Sequence, residues 1–165
     1  MKATELIETS LQMSRGWLST LVEDMKGLPT TYPTAAGGNH PLWVLGHVVH
    51  SEAALRDGFI LGTSCALSKW DELFGRGSQA DADAGKYPGM DELFAEWERV
   101  RSRTLTVLHT LTDGDLSRQS HAPADMAAMF GTVGQCFAMI SHHAIFHAGQ
   151  VADARRSAGR PPLFG

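Results

Sequence analysis

Three of the eight histidines in this chain fall inside SHHAIFHAGQ, residues 141–150. His143 and His147 are four apart. At about 100° per residue, a helix sets them about 40° apart in azimuth and one turn apart in rise. Two imidazoles so placed can bite one metal ion. The neighbouring segments FAMI and AIF are apolar, so both rings should turn into a bundle or a cleft. Buried histidines need hydrogen-bond partners or an ion to ligate.

The third ligand has to come from another inward-facing helix. His47, which follows Gly46 in VLGHVVHSE, is the best candidate, with Gly46 allowing close helix approach. His50, one turn on and about 60° around the axis, is the alternative, or else a lining or supporting residue. Gln150 shares the face of His143 and His147 and can orient a ligand or touch substrate. His142 is turned about 100° from His143, toward a neighbouring helix, a subunit interface or solvent. His40, His109 and His121 lie in or near loops or at a helix end and read as surface residues. Glu52 and Asp57 are candidates to support a ligating imidazole, or members of a solvated helix face.

Three neutral imidazoles suit Zn²⁺, Ni²⁺, Fe²⁺ or Cu²⁺. Structural zinc sites usually have four protein ligands, whereas three leave an open position, the catalytic arrangement. Neither Cys65 nor Cys136 is placed by sequence to complete the sphere. An open site can lower the pKa of a bound water to near 7. It can equally hold a thiol as the more nucleophilic thiolate. Three uses follow: thiol transfer, hydrolysis, or metal or ligand binding without catalysis. A pocket beside the ion would discriminate among them. A thiol cofactor needs room and a cation for its carboxylates, with Arg56, Arg76 and Lys86 as candidates; hydrolysis needs a general base.

The elements that must position these residues are helical. A first helix is expected from a Thr4 cap to about Leu28, ended by Pro29 and Pro33. A second opens at Pro41, a residue favoured in the first turn, and runs to Gly62. Residues 63–89 form a long connection with one short apolar segment, WDELF. A third helix runs from Met90 through VLHTL, and a fourth from Thr132 to Ala158, with Gly159 just past its end. No alternating strand pattern and no internal repeat is present. The expected fold is all-α, a four-helix bundle with a long crossover, in a single domain over 1–165.

The bulk numbers agree. The 165 residues are 43% hydrophobic and 19% charged, with a net charge of −4, ordinary for a globular chain. The basic residues form no run, which argues against nucleic acid and anionic membrane as partners. Two isolated cysteines read as reduced thiols in a cytoplasm. The segment MKATELIETSLQ lacks the apolar core of a signal peptide. No apolar stretch approaches the ~20 residues of a membrane span.

WVLGHVVHSE, WDELFGRGS, YPGMDELFAEWERVRSRTL and HHAIFHAGQVADARRSAG together resemble the DinB-like (damage-inducible, YfiT-like) family of metal-binding four-helix bundles. The resemblance spans nearly the whole chain. It implies a four-helix bundle with a long crossover and three metal-ligating histidines matching His47, His143 and His147. It also implies a divalent ion (zinc or nickel, with iron compatible) and a homodimer. Family activities include bacillithiol-dependent thiol transfer, mycothiol-dependent isomerisation and metal-dependent hydrolysis. A metal-dependent S-transferase using a low-molecular-weight thiol such as bacillithiol, mycothiol or glutathione, acting on a small-molecule substrate, is the reading placed first. Nothing in the motifs selects among the three.

Overall fold

Pro41 opens the second long helix with its ring at the first helical position, where no amide is needed. The helix, α2, runs Pro41–Ala54, and nearly all its residues are buried. A computed structural model describes residues 1–164 of the chain. Its long helices are α1, Ala3–Glu23; α2; α4, Met90–His109; and α6, Val133–Ser157. Two one-turn helices, α3 at Asp71–Phe74 and α5 at Ala127–Phe130, lie in the connections. The fold is all-α. Among the described residues the only β-type pairing is an isolated bridge between Gln119 and Thr132.

Helix α1 packs on α6, α2 packs on both α4 and α6, and α4 closes back on α1. Two apolar clusters fill the interior. One gathers Leu18, Trp43, Phe74, Trp97 and Val151; the other gathers Leu11, Leu108, Phe130 and Phe137. A buried ion pair links them. Glu52 accepts from Arg101 Nε and Nη2, each at 2.8 Å, and from Trp97 Nε1 at 3.0 Å. Arg101 also donates to the Leu11 carbonyl. Asp57 is likewise taken up by Arg56, at 2.7 Å. Glu52 and Asp57 are therefore both taken up by arginines, and neither supports an imidazole of the 143–147 group.

Several boundaries differ from the sequence expectation for local reasons. Helix α1 ends at Glu23, before Leu28, and Gly27 turns the chain at φ 87°. Its first amides are capped from across the molecule: Asp113 accepts from Ala3 N at 3.0 Å and Thr4 N at 3.1 Å. A carboxylate there complements the helix dipole, so Thr4 is capped rather than capping. Helix α2 widens into a π-helical stretch at Leu55–Ile60, with Leu61 N bonding Arg56 O, before Gly62 at φ 68° stops it. Such widenings are often found at functional sites. Helix α6 starts at the expected place, and Thr132 caps it by accepting from Gln135 N. Among the described residues, no helix is long and apolar enough to cross a membrane.

Candidate metal centre

His143 and His147 project from one face of α6, and His47 projects from α2 where the two helices meet. His143 Nε2 lies 3.2 Å from His47 Nε2 and 3.1 Å from His147 Nε2. One ligand atom from each of the three lies within 4.8 Å of the others. Nitrogens bound about 2.0–2.1 Å from one tetrahedral ion would stand about 3.3 Å apart. His147 is buried, and His47 and His143 are partly buried.

Two of the rings are held by their opposite nitrogens. His47 Nδ1 is 2.6 Å from the Phe74 carbonyl oxygen, which can only accept, so Nδ1 carries the proton. His147 Nδ1 donates to Gln150 Oε1 at 2.8 Å. Gln150 Oε1 also accepts from Asn39 Nδ2 at 3.2 Å. Nε2 of both rings is left as a lone pair facing His143. One N–H on His143 can fully satisfy only one of them, whereas a cation between the three satisfies all. Fixing a ligating imidazole through its far nitrogen is the usual support of a metal site. The donor set fits a divalent transition ion, and the three histidines can hold one.

Burial keeps these rings uncharged. Desolvation, opposed by the Phe74 carbonyl, lowers the His47 pKa to about 4. Desolvation, helped by His147 and His47, lowers that of His143 to about 3. His147 is also lowered by desolvation, and its bond to Gln150 opposes the shift. Neutral imidazole is the ligating form.

The support for His47 comes from the crossover. The one-turn helix α3 gives Phe74 O to His47, Leu73 O to Trp43 Nε1 at 3.1 Å, and Asp71 Oδ1 to His50 Nε2 at 2.7 Å. Trp43 stacks on His47, with ring centroids 4.5 Å apart and planes 11° from parallel. Gly46 makes this docking possible. A Cβ there would meet the Phe74 ring at 2.2 Å. The glycine admits an aromatic ring of the crossover rather than a neighbouring helix backbone.

His50 is thus turned to Asp71, and His47 is the residue that meets His143. His142 is exposed. His109 pairs with Glu8 at the surface. His40 is buried, contrary to the surface reading. Its Nδ1 accepts from Trp43 N at 3.0 Å, capping α2, and its Nε2 donates to Asp81 O at 2.8 Å. Cys136 is buried near the Phe130 carbonyl and Cys65 is partly buried; both are free, and burial raises both thiol pKa values. Asp71, Phe74 and Asn39 were not anticipated as supports. The one signal for the first two was WDELF, an apolar island in a polar connection.

A cavity of about 400 Å³ opens beside the cluster, lined at one end by His47, His50 and His143. Its walls include Phe59, Phe130 and three methionines, and Arg76 lies at its edge. Of the other cations considered for the site, Arg56 is buried against Asp57 and Lys86 pairs with Asp81.

No curated protein matches the chain. The family model of the DinB superfamily matches residues 10–151, which include all three histidines. With that match over most of its length, the chain belongs to the DinB superfamily.

Proposed function

We propose that this protein is a divalent-metal-dependent enzyme that activates the thiol of a small molecule for transfer to an electrophile. The observation that carries the reading is the convergence of three Nε2 atoms, with two of the rings, His47 and His143, lining an open cavity. His47, His143 and His147 would hold the ion, zinc or nickel, with iron compatible. Three protein ligands leave a position free for a reactant. The ion, when bound, supplies a Lewis acid that favours the deprotonated form of a thiol or water.

The chain's own residues do the rest. The Phe74 carbonyl and Gln150 keep Nε2 of His47 and His147 unprotonated and aimed. The apolar walls exclude water from a reacting thiolate. Arg76 offers a cation to an anionic group of the electrophile. His50, in the cavity wall, holds one ring nitrogen on Asp71 and has the other to take or return a proton. That same pair supports a second reading, hydrolysis, in which His50 serves as the base for an attacking water.

One assay set separates them. Metal-loaded protein is given a thiol-reactive electrophile with glutathione, mycothiol, bacillithiol or no thiol. Turnover that requires one of the thiols is expected. Turnover equal in the thiol-free arm overturns thiol transfer in favour of hydrolysis. A homodimer through the α1–α6 face fits the exposed Leu6, Met13, Trp17 and Ile145, and light scattering at several concentrations tests it.

A further inference from the structure

The cavity beside the histidines has its own chemistry. Close-packed interiors leave few voids larger than a water, and a hole of about 400 Å³ is of the size that holds small ligands. Its lining is mostly apolar, and Met126, Met129 and Met139 supply flexible, polarisable walls that adapt to an occupant. Met129 is 56% exposed, a large apolar side chain left at the opening.

Arg76 is the contrast. The buried arginines are matched: Arg56 with Asp57, Arg101 with Glu52, and Arg155 with Asp24. Arg76 instead rests its Nη1 3.7 Å from Met126 Sδ, a weak acceptor. Among the described residues no carboxylate lies within 4.0 Å of its guanidinium. A cation at the rim of an apolar hole matches a molecule with an apolar body and one anionic end.

We propose that this cavity binds a small amphipathic anion, an aryl or alkyl carboxylate or sulfonate, with its apolar body against the methionines and its anion on Arg76. The inference rests on the metal-dependent reading for what then happens to the ligand, but not for its binding. In that reading the bound molecule is the electrophilic acceptor, placed with its far end toward His143.

The test uses 8-anilinonaphthalene-1-sulfonate, followed by fluorescence, with the full chain both metal-free and metal-loaded. The neutral analogue N-phenyl-1-naphthylamine is the control. One saturable site per chain is expected. Arg76→Gln should weaken the sulfonate about tenfold, the scale of one charge-assisted hydrogen bond, and leave the neutral dye unchanged. Met129→Glu, at an exposed position that should not disturb folding, should weaken the sulfonate more than the neutral dye. Ala54→Trp, which fills the cavity, should weaken both. Non-saturable binding, or equal sulfonate affinity in wild type, Arg76→Gln and Met129→Glu, overturns the proposal. Dye binding in protein that takes up no metal would leave this inference standing and remove the enzymatic one.

Discussion

His47 donates its Nδ1 proton to the Phe74 carbonyl across 2.6 Å, joining α2 to a one-turn helix 27 residues further along the chain. This bond decides which nitrogen of His47 is free, and Gly46, one residue earlier, decides whether Phe74 can approach at all.

Gly46→Ala should therefore act on both fold and site. The added methyl would overlap the Phe74 ring, and overpacking of this kind costs about 1–3 kcal/mol. Displacing Phe74 also moves the carbonyl that holds His47. Urea denaturation and a metal titration should both register the change. Combining it with Phe74→Leu should recover part of the stability. Unchanged stability and metal affinity in Gly46→Ala would refute the close docking.

Loss of a proposed ligand should exceed loss of its support. Gln150→Leu removes the acceptor of His147 Nδ1, and such substitutions weaken metal affinity about 10–100-fold. His143→Ala should weaken it further. Calorimetric titration of Zn²⁺ or Ni²⁺ into chelator-treated protein gives both values. One equivalent bound by His143→Ala as tightly as by wild type would remove the triad.

Acid should destabilise the metal-free protein. The folded-state pKa values of His47 and His143 lie at about 4 and about 3, below the ordinary 6.5. The unfolded chain then binds more protons between those limits, so stability is full above 6.5 and falls as pH drops toward 4 and 3. His40, lowered mainly by desolvation, adds to the same trend. Urea midpoints at pH 7.5, 6 and 5 should decrease in order, and His143→Leu should flatten the decrease. A flat wild-type profile would contradict the burial of these rings.

Arg101→Met should cost about 3–5 kcal/mol, because it leaves Glu52, 2% exposed, as an uncompensated buried charge. The double variant Glu52→Gln with Arg101→Met should recover much of that. Additive losses in the pair would show that the two side chains are not coupled.

The histidine pair was legible because an i, i+4 spacing on a helix is local geometry, set by the backbone repeat before any packing. The long helices were legible for the same reason: α6 runs between Thr132 and Gly159, where a capping hydroxyl and a glycine mark its ends. Less legible were the choice between His47 and His50 and the burial of His40. On α2 both histidines face inward, and helical phase alone cannot say which meets α6. The supporting groups were mostly hidden because the key acceptor on His47 is a main-chain carbonyl, which every residue has.

By itself the sequence determined the all-α pattern, the candidate set of His47, His50, His143, His147 and Gln150, and the family resemblance, since periodicity and residue type are properties of short segments. Only the tertiary structure decided that α3 would lend Phe74 O to His47 and Asp71 to His50, and that a cavity with Arg76 at its rim would open beside them. Those contacts join residues far apart in the chain, and they exist only once α2, α6 and the crossover pack together.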